Sequence, residues 1–420
     1  MVWRIFAARQ VGPVTKPLPI VRPPVGALLL IAYLGFISLG LPDAVAGIAW
    51  PDMREQFGLP QSGLGLLLIA SGCGYFCSSF FGGRLTHALG LGTLLTVSSL
   101  LVGLAMVGSG LSLWFAGLIA AALVWGVGSG AIDAGLNTYA ANNFSPRHVS
   151  WLHACYSFGA MLGPLVMTAC IVQAGSWQLG YMVVGAAMLG MTALFLATRQ
   201  RWTLEPGTTD APAVVSAPML TVLASPLVWL QTAVFFFYTG LEATVGQWSY
   251  TLLTEQRGVE TGTAGVWVAT YFGSLAAGRV LFGIIAERVG LDRLVRLATL
   301  GTLLGALMFA AAPYFADVLS PAVANGLGLF GLALIGLGLS PIFPCLMART
   351  PARLSLSFAA HAIGFQVSAA TLGAASMPGL TGILCERISL ESAAIVALVL
   401  AALLGSLHEV LLARSRATMH

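Results

Sequence analysis

The sequence predicts an all-α membrane protein with twelve transmembrane helices in two pseudo-symmetric six-helix bundles. Three observations lead there. Of 420 residues, 58% are hydrophobic and 8% charged, with mean hydropathy +0.90; a soluble domain carries about 25% charge. The apolar residues gather into runs that suit a bilayer core, which takes about 20 helical residues to cross. The runs also fall into two sets whose glycines repeat. This composition excludes a water-soluble globule, a disordered chain and a disulfide scaffold. The six cysteines, Cys73, Cys77, Cys155, Cys170, Cys345 and Cys385, form no CxxC pair and read as reduced, small apolar side chains. Neither a metal nor a cofactor is expected.

Residues 1–25 carry Arg4, Arg9, Lys16, Arg22 and several prolines, and read as a cytoplasmic tail. The apolar run that follows is too long for a cleavable signal, so the first helix is the expected insertion signal. Apolar runs broken by polar clusters give helices at 26–50, 62–84, 90–110, 113–139, 149–173 and 177–198, an N-terminal bundle over 26–198. Residues 199–226, rich in Pro, Thr and Ala, form a cytoplasmic central loop. Helices at 227–253, 262–286, 294–313, 320–345, 356–384 and 390–412 make a C-terminal bundle over 227–412, and 413–420 is a tail. Pro341, Pro344 and Pro378 lie inside helices 10 and 11 and free carbonyls there, as flexing, gating helices would need.

Basic residues prefer cytoplasmic loops. With the N-terminus inside, all 19 Lys and Arg fall on the cytoplasmic side except Arg54, Arg257 and Arg387, Arg279 being counted among the cytoplasmic ones. Both termini are therefore expected in the cytoplasm, with the chain multi-pass in the inner membrane of a bacterium. The same bias accounts for the net charge of +4 without nucleic acid. The expected partners are the bilayer, protons and a small sugar-like solute, and the chain is expected to act as a monomer.

The halves repeat. Gly83, His87 and Gly90 recur 200 positions later as Gly283, Glu287 and Gly290. Gly126 and Gly128 in helix 4 recur 210 positions later as Gly336 and Gly338. Gly159, Ala160 and Pro164 in helix 5 recur 214 positions later as Gly373, Ala374 and Pro378. Parallel repeats of this kind build transporters in which a cavity between halves opens alternately to each side, and small residues let helix backbones approach closely in lipid.

Among the acidic residues, Asp43, Asp133 and Glu242 lie well inside spans. A charge in hydrocarbon is costly enough that such residues are functional candidates, the plainer alternative being a protonated carboxyl bonding between helices. Asp133 and Asn137, four apart, share a helix face. If helices 4 and 5 pack as a hairpin turning near Asn143, Asp133 and His153 lie at equal depth, with Tyr156 on the same face as His153. An acid beside a histidine is a proton carrier; a structural hydrogen bond is the alternative for His153. Proton coupling is thus expected of Asp133, Asp43, Glu242 and His153. In helix 7, Tyr238 and Glu242 share a face, with Gln247 and Trp248 further outward. An aromatic ring beside amide and carboxyl groups suits a sugar, although Trp248 also fits an interfacial anchor. Substrate binding is expected of Asn137, Tyr156, Tyr238, Gln247, Trp248 and Gln366.

With this repeat and these loops, the chain resembles the major facilitator superfamily over about residues 26–412. The family's loop signature, Gly-x-x-x-Asp-Arg-x-Gly, stands here as Gly83-Arg-Leu-Thr-His87-Ala-Leu-Gly90 and, better kept, as Gly283-Ile-Ile-Ala-Glu287-Arg288-Val-Gly290. Within it, Gly-Ala-Ile-Asp133-Ala-Gly-Leu-Asn137 and Ser157-Phe-Gly-Ala160 are similar to the fucose/galactose/glucose–proton symporters, the fucose permease-like group. The resemblance implies an acid in helix 4 followed by Asn, which Asp133 and Asn137 match, and an acid in helix 1, for which Asp43 is the candidate. Tyr156 stands where the group places Asn.

The function expected is secondary active transport of a sugar or similar polar solute by alternating access, coupled to protons. A drug or metabolite exporter of the same superfamily is the alternative, and a non-transporting sensor a more distant one. No HExxH, GxSxG or Walker motif occurs, and the loops are short, so an enzyme is not expected.

Overall fold

The computed structural model describes residues 26–202, 218–315, 318 and 320–417. The predicted N-terminal tail, most of the central loop and residues 418–420 lie outside them. The described chain is all-helical, and eleven of its helical stretches are long and apolar enough to cross a membrane.

The first stretch is interrupted. α1 (Gly26–Gly40) and α2 (Val45–Phe57) form one span of 32 residues with a break at 41–44. Pro42 has no N–H to donate and its ring disfavours a continuous helix, so the turn closes through Asp43 N–H to the Gly40 carbonyl and Val45 N–H to the Pro42 carbonyl. The span runs on to Phe57, where Gly58 takes the left-handed conformation (φ 61°) that ends α2. Asp43 therefore sits at mid-span in the break. The sequence reading ended this helix at 50, seven residues short of its observed end at Phe57.

The next helices are α3 (Gly63–Phe80), α4 (Gly82–Leu89), α5 (Leu91–Gly110), α6 (Phe115–Asn143), α7 (Pro146–Ala174) and α8 (Trp177–Thr198). After the short α9 (Met219–Leu223) come α10 (Pro226–Thr251), α11 (Thr261–Val289), α12 (Leu291–Ala311), α13 (Pro321–Leu339), α14 (Ile342–Leu354), α15 (Leu356–Arg387) and α16 (Ser392–Ala417). α13 and α14 make another broken span, interrupted at Ser340 and Pro341. α10 has 26 residues but stands outside the eleven apolar stretches. Gln231, Glu242 and Gln247 lower its apolar character, and it is packed among other helices, on α15 and α16.

Two groups of helices pack mainly within themselves. Before Trp202, α3 lies on α6, α5 on both α6 and α8, and α1 on α7. After Pro218, α10 lies on α15 and α16, α12 on α13 and α16, and α11 on α13. The glycine repeat becomes matched helix crossings. A Cβ at Gly126 would run into the Ser71 carbonyl, and one at Gly336 into the Tyr271 carbonyl; Gly159 meets the Ile37 carbonyl as Gly373 meets that of Phe236. In each case the backbones touch where only hydrogen fits.

The groups meet along α7–α11, α3–α15 and α2–α10. Towards the ends of the spans away from Gly26 and Ala417 the seam is tight. Gly65 abuts Gly379 and Gly72 abuts Ala375, Arg54 pairs with Glu255 at 3.0 Å, Gln61 donates to Glu255 at 2.9 Å, and the Ser62 N–H donates to Glu386 at 3.3 Å. A cavity of about 350 Å³ outside this seam is lined by Asp52, Arg54 and Glu55 from one group and Tyr250, Glu255 and Thr261 from the other. Away from that tight region, Phe80 and Phe81 of the first group are exposed, and nothing lies within 4 Å of where a Cβ of Gly364 would be.

Candidate functional site

Three carboxylates converge at mid-membrane, each held by a tyrosine hydroxyl. The break between α1 and α2 presents Asp43, whose carboxylate accepts a hydrogen bond from Tyr156 of α7. α6 presents Asp133, which accepts from Tyr75 of α3 at 2.7 Å and from the Asn137 amide one turn on at 2.8 Å. α10 presents Glu242, whose Oε2 accepts from Tyr238 at 2.5 Å. Tyr271 of α11 donates to the Glu242 backbone carbonyl at 3.0 Å, and Gln247 donates across the seam to the Asp43 carbonyl at 2.7 Å. Asp43 lies within electrostatic range of both Asp133 and Glu242. Asp43, Asp133, Asn137, Tyr156 and Glu242 all keep part of their surface open although they stand deep within their spans. An ionised carboxylate surrounded only by hydrocarbon is very costly; hydroxyl donors and residual exposure offset that cost.

The same cluster holds a cation that the charge count had assigned to the cytoplasmic side. Arg279 lies ten residues inside the C-terminal end of α11, within a span. Its Nη1 donates to Ser157 Oγ at 2.5 Å and to the His153 carbonyl at 3.1 Å, both on α7 of the other group. Its Nη2 stands 3.7 Å from Glu242 Oε1, and its guanidinium lies 5.9 Å from the centre of the Tyr156 ring. One clue was available: Val280-Leu-Phe-Gly-Ile-Ile-Ala286 continues the apolar run past Arg279, so the arginine interrupts the run and does not end it. Tyr75 and Tyr271 were also missed, because a tyrosine in an apolar run gives no signal of its own.

Several expected groupings do not form. His153 is not beside Asp133. Consecutive helices were taken to be neighbours, yet α6 and α7 barely touch, while α7 packs on α1. The His153 ring accordingly sits edge-on to Phe36 of α1, centroids 5.6 Å apart. Trp248 is buried, and its indole donates to the Pro378 carbonyl at 2.8 Å, so it joins α10 to α15 and offers no stacking face. Gln366 is fully buried and bonded to Gln231 at 2.9 Å and to Thr350 at 3.1 Å, a polar link between α10, α14 and α15 set apart from the acids. Asp43, Asp133, Asn137, Tyr156, Tyr238, Glu242 and Gln247 do come together.

A family model, Major Facilitator Superfamily, matches residues 32–356 and 251–420. The chain belongs to that superfamily. As one of its members it is a multi-pass membrane protein of a transporter family, not of an enzyme family. Its fold is similar to the crystal structure of a bacterial homologue of the human lysosomal transporter Spinster, in an inward-facing and occupied conformation. The two share 14% identity at a TM-score of 0.68, covering 93% of this chain and 97% of that one. Among characterised relatives, the 3-(3-hydroxy-phenyl)propionate transporter of Escherichia coli is 27% identical over 84% of this chain and 85% of its own. The probable sulfoacetate transporter SauU of Cupriavidus necator is 28% identical over 73% of this chain and 75% of its own.

Proposed function

We propose that this superfamily member is a twelve-span, proton-coupled secondary transporter of a small polar organic solute. The two helix groups, taken as six-helix bundles over 26–198 and 227–412, rock about the seam between them. The chain ends lie in the cytoplasm of a bacterium and the tight face of the seam points outward. One observation carries the reading: three mid-span carboxylates on three different spans keep part of their surface exposed, with Asp43 within electrostatic range of both of the others. Asp133, Asp43 and Glu242 take up and release the proton. Protonation removes a buried charge and so lowers the cost of occluding the site while the groups pass one another. His153, whose ring packs on Phe36, has no part in the relay.

Tyr75, Asn137, Tyr156, Tyr238 and Gln247 supply hydroxyl and amide groups of the kind a sugar-sized polar solute would meet. The fucose permease-like resemblance rests on Asp133 and Asn137, a bonded pair. The aromatic platform expected from Trp248 drops out, so the solute is held by polar contacts. The test is reconstitution into proteoliposomes with an imposed pH gradient, acid outside, and labelled hexoses, hydroxyphenylpropionate and sulfoacetate. Gradient-stimulated accumulation of at least one of them, lost in Asp133→Asn, is expected. Uptake that ignores the gradient refutes proton coupling.

A further inference from the structure

Among the described residues, Arg279 differs from the other arginines that pair with acids; Arg54 and Arg353 each hold a carboxylate, at 3.0 and 2.7 Å respectively. Arg257 grips Glu391 through two hydrogen bonds of 2.9 and 2.7 Å, Arg296 grips Glu409 at 2.6 and 2.5 Å, and Arg349 grips Asp292 at 3.1 and 2.7 Å. Those are forked pairs of the kind that lock a guanidinium to a carboxylate. Arg279 faces Glu242 across 3.7 Å, too far for a hydrogen bond. Glu242 takes its close bond from Tyr238 instead. Arg279 is largely enclosed, its side chain 13% exposed, and its near partners Ser157 and the His153 carbonyl are neutral. The other titratable groups facing this pair are Tyr271 on its own helix, Tyr238 on α10, Tyr156 and His153 on α7, and Asp43 at the α1–α2 break. Asp43, the other acid among them, has a donor of its own in Tyr156.

The geometry points to Arg279 as the docking group for an acidic group on the solute, and so to small organic carboxylates or sulfonates as the substrate class. The argument rests on the proposed function and deepens it. An arginine stays charged under all conditions a cell offers, so its loosely held charge always needs a counter-charge nearby. While Glu242 is ionised it fills that need. When Glu242 takes a proton, the cation is left uncompensated, and two oxygens of an arriving carboxylate or sulfonate can pair with the guanidinium's planar fork. Proton and anion therefore bind as a unit: either alone leaves one charge buried and unmatched. Co-transport follows from charge balance. The names of two relatives, an arylpropionate transporter and a sulfoacetate transporter, agree with acids as the class.

The test is calorimetric binding to the purified full-length protein in nanodiscs. The probes are 3-(3-hydroxyphenyl)propionate and sulfoacetate, with neutral 3-(3-hydroxyphenyl)propanol and glucose as controls. The acids should bind wild type at least tenfold more tightly than the neutral compounds, and Arg279→Gln should lose at least tenfold for the acids. Glu242→Gln, which keeps the volume and removes the competing charge, should bind the acids at least tenfold more tightly than wild type; this holds the test open should Arg279→Gln fail to fold. Neutral compounds binding as well as acids, no acid binding at all, or an acid affinity in Glu242→Gln no higher than in wild type each overturns the assignment. Gradient-driven uptake of a neutral solute that survives Arg279→Gln would sink the acid assignment alone. Acid binding at Arg279 with no proton-coupled flux would sink the proposed function alone.

Discussion

Replacing Gly65 by valine should hold the protein open on the face that is closed here. A Cβ at Gly65 would stand 2.7 Å from the Gly379 Cα, 3.6 Å from its carbonyl carbon and 3.7 Å from its carbonyl oxygen. Ordinary carbon contacts lie at about 3.5–4.0 Å, so α3 and α15 must part by about 1 Å, and neither can yield by turning a side chain because both surfaces are backbone. Overpacking of this kind costs about 1–3 kcal/mol, which is about a 5- to 150-fold shift between two states. The close neighbours of that Cβ all belong to the other helix group, so the cost applies only while the groups touch at this face. Gly74→Val is the control. A Cβ there meets the Leu123 carbonyl and the Val127 amide of α6, inside one group, and should lower stability without favouring either state. The assay is the rate at which a membrane-impermeant maleimide modifies Gln247→Cys, a buried position beside Gly47, after the native cysteines are replaced. Gly65→Val should raise the rate about tenfold or more. An unchanged rate in a folded variant, or an equal rise in Gly74→Val, would refute the reasoning.

Asp133→Asn removes the proposed proton site but leaves one carbonyl oxygen to accept from Tyr75 or Asn137, which in the carboxylate bond to different oxygens, so solute exchange across proteoliposomes should continue while uphill accumulation falls to the background of empty vesicles. Arg257→Ala strips Glu391 of a forked partner and the Phe309 carbonyl of a donor, and removes a guanidinium 4.5 Å over the Phe309 ring. Breaking a largely buried pair costs up to about 3–5 kcal/mol, which should appear as a lower thermal midpoint, partly restored by Arg257→Lys. Glu260 begins α11 by accepting from the amides of Gly262 at 2.8 Å and Thr263 at 2.7 Å, and these bonds hold its carboxyl below the usual range. A depressed carboxyl adds stability above its ordinary value and loses it as pH falls through the lowered one. Hydrogen exchange at Gly262 and Thr263 should therefore quicken in that acid window, and Glu260→Gln should abolish the pH step.

Span positions were readable because lipid imposes one rule on every crossing helix: a long apolar run with its backbone bonds satisfied internally. The glycine repeat was readable as well and reappears as paired crossings at Gly126 and Gly336, and at Gly159 and Gly373. The three acids stood out because charge is rare in such runs. Helix neighbourhood was the part that could not be read. The Asp133–His153 pair assumed that α6 and α7, joined by a short turn, must touch; in the fold α7 packs chiefly on α1 and on α11 of the other group. Arg279 escaped because loop-based charge counting has no category for a cation inside a helix. Trp248 and Gln366 failed as binding groups for a common reason: in a helix buried on several sides, a polar side chain bonds to the next helix as readily as it faces a cavity.

The break between α1 and α2 has a mechanical consequence. Asp43 stands where the helical ladder is interrupted, and its own carbonyl is tied by Gln247 to the opposite group. Any force on its carboxylate, such as the pull of Tyr156, is applied at a joint and not on a rod, and the Gln247 tether joins that joint to α10, which bears Glu242. Asp43 and the helix that bears Glu242 are thereby yoked through one side-chain amide without the two acids touching.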